Sequence, residues 1–250
     1  MLPVIQIGPL AIQTPGLVIL LGFWIGLTLA EKLAPRFGLK PDHLYNGVGL
    51  ATLAGLLGAR LSFIFLHLSI FIDEPWSVFS LNTQLLDVWG GLVTGILVLL
   101  IYIQRKELNL FAYLDALTPL LAVLQIALPT ANLASGRGYG VPTSLPWAIE
   151  LWGASRHPIQ VYEILAGISV LAFVWANSRS ANTGSPGRLF LMFLALSAGT
   201  RVFLESFRAD RTFLLSRFRR TQIAAWIVLL ISLILLGIQP KHSPQPQNSS

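Results

Sequence analysis

The chain has 250 residues, 54% hydrophobic and only 11% charged, with a mean hydropathy of +0.68. An ordinary soluble domain carries about 25% charged residues, so this composition excludes a soluble enzyme and a disordered chain and leaves a protein solvated mainly by lipid. The lack of cysteine excludes disulfides, thiolate metal sites and a protein cysteine nucleophile, and the net charge of +6 is read as contact with anionic headgroups, not nucleic acid.

A transmembrane helix needs about 20 mostly apolar residues. Seven segments come close: Gly16–Ala30, Asn46–Ile72, Val88–Ile103, Leu110–Leu128, Ile159–Asn177, Arg188–Phe207 and Thr221–Ile238. The runs lack period-two alternation and exceed the length of barrel strands, which excludes a β-barrel. Backbone groups in lipid must be satisfied within their own segment. The expected fold is therefore all-α, a polytopic transmembrane helical bundle of about seven spans. Residues 1–238 read as a single transmembrane domain, and residues 239–250, rich in Pro, Gln and Ser, as a disordered cytoplasmic tail. The first span starts too late and lacks the basic flank of a cleaved signal peptide. The segment Asp73–Asp87 contains Trp76 and Phe79 and is expected along the membrane surface. Pro129–Pro158, between spans four and five, is expected as a large outward loop. No internal repeat suggests a transporter built from two halves.

Basic residues favour the cytoplasmic side. With the N-terminus outside, the inner segments hold Lys32, Arg36, Lys40, Arg105, Lys106, Arg179, Arg188 and Lys241, and the first two outer loops hold only Arg137 and Arg156. The last outer loop breaks the pattern with Arg208, Arg211, Arg217, Arg219 and Arg220. Early loops usually dominate insertion, so N-out and C-in is the expected orientation. The late arginines are either headgroup anchors or an anion site.

Charges within spans are the informative residues, because one at mid-bilayer costs at least about 2.5–3.5 kcal/mol. Arg60 sits mid-span in Gly58-Ala59-Arg60-Leu61. It is open to two readings: an ion pair with Asp115 or Glu163, or a fork gripping a lipid phosphate. Arg201 and Glu205 lie four apart on the sixth span and share a face. Arg208 follows seven residues after Arg201, on the same side. Asp115, just before Pro119, is either a helix-bending polar contact or a partner for Arg60. The densest polar run near a span is Arg156-His157-Pro158-Ile159-Gln160-Val161-Tyr162-Glu163. Pro158 suits a first helical turn. His157 is open as a general base, since imidazole titrates near neutrality, or as a cap. Gly90-Gly91-Leu92 suits close helix packing through small residues. No zinc-protease, nucleophile-elbow or phosphate-loop motif occurs. The residues alone lead to a multi-span protein with an interior cationic pocket suited to an anionic amphiphile.

The run Pro142-Thr143-Ser144-Leu145-Pro146-Trp147, followed by the Arg156–Glu163 run, resembles the prolipoprotein diacylglyceryl transferase family. Further matches keep the family's order: Gly8-Pro9 with Gly16-Leu17, Gly58-Ala59-Arg60-Leu61, Trp89-Gly90-Gly91-Leu92, Asp115 to Pro119, and Arg201-Val202-Phe203-Leu204-Glu205-Ser206-Phe207-Arg208. The resemblance covers nearly the whole chain. It implies an inner-membrane enzyme of bacteria with an outward-facing active region. Such an enzyme moves the diacylglyceryl group of phosphatidylglycerol onto the lipobox cysteine of a prolipoprotein signal peptide, and glycerol phosphate leaves. The nucleophile is then the substrate's thiol, and no metal or other cofactor is implied. Arg201, Glu205 and His157 are the implied catalytic residues. Arg60, Asn132, Arg137, Gly140, Tyr162, Glu163, Gly90, Gly91 and Asp115 are the implied substrate-binding residues, with Arg60 and Arg201 on the phosphate.

The departures are equally specific. Trp89 stands where the family usually has His (sometimes Tyr), and an indole cannot accept a proton from a thiol. Pro129 stands at the Arg of the family's long loop signature, of which only Asn132 and Gly140 survive, and Arg137 stands at its Glu. Pro15 replaces an N-terminal Tyr, and Ser197 stands where a Tyr commonly precedes Arg201 by one turn. The alternative reading is an impaired or repurposed member that binds anionic lipid or lipoprotein.

Overall fold

The computed structural model describes residues 4–7, 10–73, 75–80, 85–179, 185–209, 213–214 and 218–239. Among the described residues, seven helices are long and apolar enough to cross a membrane. They are α1 (Thr14–Leu33), α2 (Pro41–Leu66), α4 (Val88–Arg105), α5 (Leu110–Ser135), α6 (Ile159–Arg179), α7 (Arg188–Leu204) and α8 (Arg220–Ile238), with a short α3 (Leu68–Asp73) after α2. The chain is a multi-pass, all-α membrane protein. Among the described residues, three two-stranded antiparallel hairpins, not foreseen in the sequence, sit outside the spans. They pair β1 (Val4–Ile7) with β2 (Leu10–Gln13), β3 (Ile149–Leu151) with β4 (Ala154–Arg156), and β5 (Phe213–Leu214) with β6 (Phe218–Arg219). The tail from residue 240 onward, Arg211 and Arg217 lie outside the described residues, as do the side chains of Arg179, Arg219 and Arg220.

Local chemistry sets the helix starts. Pro15 and Pro41 occupy the first turns of α1 and α2, where a missing N–H costs nothing. Asp87 caps α4, accepting from Gly90 N at 2.8 Å and Trp89 N at 3.4 Å. Ser62 Oγ donates to the same carboxylate at 2.6 Å. These bonds, the Ser62 hydroxyl first, hold the Asp87 carboxyl below its ordinary value of 3.8.

The chain divides into two compact units, residues 38–113 and residues 1–37 with 114–250. In the 38–113 unit, α2 lies along α4 through facing glycines. A Cβ on Gly55 would stand 3.1 Å from Gly91 O, and one on Gly95 would stand 3.0 Å from Ala51 O. Both distances are tighter than an ordinary Cβ contact, so glycine lets the two backbones approach without displacement. Gly90 faces Ser62 in the same way, so Gly90 and Gly91 bring α4 onto α2.

Arg60, on α2, makes no ion pair among the described residues. Its Nε donates to Val78 O at 3.1 Å, Nη1 to Leu85 O at 3.0 Å, and Nη2 to Ser77 O at 2.6 Å and Val78 O at 3.0 Å. The planar fork is thus spent on three carbonyls of the segment that links α2 to α4, and its face lies 5.7 Å from the Phe71 ring centroid. The second span ends at Leu66, not Ile72, because the backbone leaves the helix at His67 (φ −127°, ψ +40°) before α3 begins.

In the other unit, Ala122 of α5, Val170 and Val174 of α6, and Leu189 and Phe193 of α7 form a buried core. Asp115, buried on α5, accepts from Gly187 N at 2.6 Å and Phe190 N at 2.8 Å. It caps α7, whose own preceding residue, Gly187, has φ +87° and no side chain to do so. The carboxylate, open in the sequence as a helix-bending contact or as a partner for Arg60, is therefore committed to the start of α7. Helix α5 continues past Leu128 through Pro119 and Pro129 to Ser135. Pro129 leaves Gln125 O without its helical donor, and Gly167 of α6 packs there, its built Cβ 3.4 Å from that oxygen.

Candidate active site

The C-terminal ends of α5 and α7 and the N-terminal end of α6 meet at one end of their unit. There α7 tightens into a 3₁₀ turn, Glu205–Phe207, and then extends at Arg208. Four charged side chains converge. Glu163 Oε1 accepts from Arg208 Nη1 at 2.6 Å and from Arg201 Nη1 at 3.1 Å. Glu205 Oε2 lies 3.2 Å from Arg201 Nε, and Glu205 Oε1 accepts from Thr221 Oγ1 at 2.6 Å. The set is neutral in sum, which makes burial at this depth tolerable. Its members differ in access: the Glu205 side chain is 3% exposed and Arg208 11%, but Arg201 38%. Arg201 is the cation most open to an incoming anion.

A cavity of about 740 Å³ opens from this cluster. Asn132, Glu163, Arg201 and Arg208 line its polar part, and Leu121, Leu124, Phe190, Phe193 and Leu194 line the rest. A second cavity of about 480 Å³ is lined by Trp147, His157, Tyr162, Phe203 and Phe207 among others. Ala166, Thr200 and Leu204 line both.

The loop after α5 is stitched over this end by backbone hydrogen bonds. Val141 N donates to Phe207 O at 2.9 Å, Ala209 N to Tyr139 O at 3.0 Å, and His157 N to Val141 O at 3.0 Å. Gly140 pairs with Arg208 and leaves no room for a Cβ against His157. Arg137 contributes its backbone: its N–H donates to Asn132 O at 3.0 Å and its carbonyl accepts from Gln160 Nε2 at 2.8 Å, while its side chain is exposed. Arg156 stacks over Tyr139 at 4.8 Å and donates to Leu151 O at 3.1 Å. His157 Nδ1 lies 3.4 Å from Tyr162 Oη, which also accepts from Trp147 Nε1 at 2.8 Å.

The structure thus gathers Asn132, Gly140, His157, Tyr162, Glu163, Arg201 and Glu205, with Arg137 held by its backbone. Arg60, Gly90 and Gly91 belong to the 38–113 unit, and Asp115 sits at the opposite end of α7. Three contributors went unassigned in the sequence. Arg208 had a signal, its seven-residue spacing from Arg201. Buried Gln160 had one too, its place in the Arg156–Glu163 run, and Thr221 had none.

A family model for prolipoprotein diacylglyceryl transferase matches residues 3–238 of the chain. The chain belongs to the prolipoprotein diacylglyceryl transferase family. Among the relatives of this family member are proteins named phosphatidylglycerol–prolipoprotein diacylglyceryl transferase from Streptococcus pyogenes serotype M5 (strain Manfredo), serotype M49 (strain NZ131) and serotype M1. Each is 28% identical over 240 residues, covering 93% of this chain and 92% of its own length.

Proposed function

We propose that this chain transfers the diacylglyceryl group of phosphatidylglycerol to the lipobox cysteine of a prolipoprotein signal peptide. The substrate sulfur attacks the glycerol carbon that carries the phosphate. The carbon–oxygen bond breaks, glycerol phosphate leaves with the electron pair, and the thiol proton passes to a base. Family membership and the printed names of the relatives support the reaction class. The observation that carries the reading in this chain is the convergence of Arg201 and Arg208 on Glu163 where polar groups meet an apolar cavity.

The residues divide the work in this reading. Arg201, with Arg208, stabilises the phosphate as it becomes an anion. Glu163 and Glu205 fix the two guanidiniums. Asn132 and Tyr162 contact the headgroup, and Gly140 keeps the loop close enough for them to do so. His157 takes the thiol proton. The site faces outward in a bacterial cytoplasmic membrane, with the N-terminus outside and the tail inside.

A second reading rests on Trp89. It is exposed at the start of α4, where the family usually has an imidazole. In this reading the chain binds anionic lipid or lipoprotein and transfers nothing. Reconstitution with labelled phosphatidylglycerol and a lipobox peptide separates the two. Label on the cysteine supports the transferase. Lipid binding without transfer, where a motif-complete relative transfers, supports the second reading.

A further inference from the structure

The larger cavity carries one polar feature that the reaction chemistry does not use. Ser197 Oγ of α7 donates to Gln125 Oε1 of α5 at 2.7 Å, across 72 residues, and both side chains line the cavity. Polar groups at this depth are costly unless each is hydrogen-bonded. The Ser197 bond occupies the amide oxygen and leaves the amide nitrogen. Among the described residues Gln125 Nε2 has no acceptor, and neighbouring Thr200 spends its hydroxyl on Ser197 O at 2.8 Å. The pair therefore presents an aimed N–H donor to the cavity interior.

Its position says what it meets. Ser197 precedes Arg201 by one helical turn, about 6 Å along α7. Further along, Leu121, Phe190 and Leu194 make the cavity apolar. Cations, then a donor, then an apolar sleeve is the order in which a glycerophospholipid carries phosphate, ester carbonyls and acyl chains. We infer that Gln125 donates to an ester carbonyl of a diacyl glycerophospholipid held at Arg201 and Arg208, and so selects ester-linked over ether-linked lipid. This inference rests on the cavity being the lipid site of the proposed transferase. The ester oxygens take no part in the reaction, so the selection is one of binding.

The test compares phosphatidylglycerol with its dialkyl ether analogue, matched in headgroup and chain length. Binding is read by native mass spectrometry of the full chain in detergent, and transfer by lipid on a lipobox peptide. The wild type is expected to prefer the ester lipid by about 3- to 10-fold, the range of one hydrogen bond. Gln125→Leu, similar in size without a donor, is expected to remove the preference by weakening the ester lipid alone. Ser197→Ala, a milder change that releases the amide from its aim, is expected to reduce the preference partway. Equal binding of both lipids by the wild type overturns the inference, as does an equal loss on both lipids in Ser197→Ala. Ester preference in binding with no transfer of either lipid sinks the transferase reading and sustains the inference. Equal transfer and equal binding of both lipids does the reverse.

Discussion

Glu163 and Arg208 are joined at 2.6 Å across 45 residues of sequence, from the second turn of α6 to the residue that follows the 3₁₀ end of α7. The same carboxylate oxygen also takes Arg201, so one anion holds two cations in place. Glu163→Gln keeps the shape and removes the charge. Both partners of the Glu163–Arg208 pair are largely shielded, and breaking such a pair costs about 3 kcal/mol. The Arg201 contact adds little to stability because its side chain is 38% exposed. The expected outcome is a lower unfolding temperature in detergent and a transfer rate reduced by about 10²–10³-fold, the scale of losing one electrostatic element of a site. A Glu163→Gln/Arg208→Met double-mutant cycle checks the assignment. Additive losses in the cycle would contradict the pairing.

Arg60 yields a different kind of prediction. Its guanidinium binds the carbonyls of Ser77, Val78 and Leu85, so its removal takes a charged donor from all three, while Ser77 O keeps its bond from Ser80 N at 3.1 Å. Arg60→Met is expected to destabilise that connection by about 2 kcal/mol, the scale of hydrogen bonds to a charged group. It should appear as faster limited proteolysis within residues 67–87. Arg60→Lys should restore little, because one ammonium cannot reproduce a planar fork. Wild-type protease resistance in Arg60→Met would refute the clamp.

The contrast between these two arginines shows what the sequence could and could not carry. All seven spans were legible, because lipid imposes a run of apolar residues on any helix that crosses it. The Arg201–Glu205 contact was legible too, since four-residue spacing puts both on one helical face. The link from Glu163 to Arg201 and Arg208 joins segments 38 and 45 residues apart, which no local rule specifies. Asp115 was open as a partner for Arg60, yet it caps α7, because Gly187 leaves that helix start without its own acceptor. The β3–β4 hairpin was hidden for a conformational reason. Its turn places Trp152 at φ +55° before Gly153 at +73°. A left-handed tryptophan is the opposite of the Asn that ordinarily marks such a turn.

Asp87 gives a pH dependence whose sign is fixed. Its carboxyl is held below 3.8 by Ser62 and by the first amides of α4. The folded state therefore favours the ionised form more than the unfolded chain does. The stabilising contribution is complete above the unfolded value and is lost as pH falls through the lower folded value. Acidification below about 3.8 is expected to loosen the start of α4, seen as faster hydrogen exchange at Gly90 and Gly91. In Asp87→Asn this acid-dependent increment should vanish. An unchanged acid response in that variant would show that another group is responsible.

His157 is the imidazole at the site, and two roles compete for it. It packs edge-on against Phe207 at 5.2 Å and lies 3.4 Å from the Tyr162 hydroxyl, contacts that would serve a residue which merely holds the loop. It also faces a cavity shared with Tyr162 and Trp147, as a base for an incoming thiol must. If it is the base, His157→Asn lowers kcat by about 10²–10⁴-fold with little change in KM. Tyr162→Phe separates positioning from proton transfer, because it removes the oxygen that Trp147 Nε1 and His157 share and leaves the imidazole. It should lower kcat modestly, well short of the His157→Asn loss. A His157→Asn protein that transfers at the wild-type rate would reduce His157 to a loop contact and move the search for the base to the substrate or its leaving phosphate.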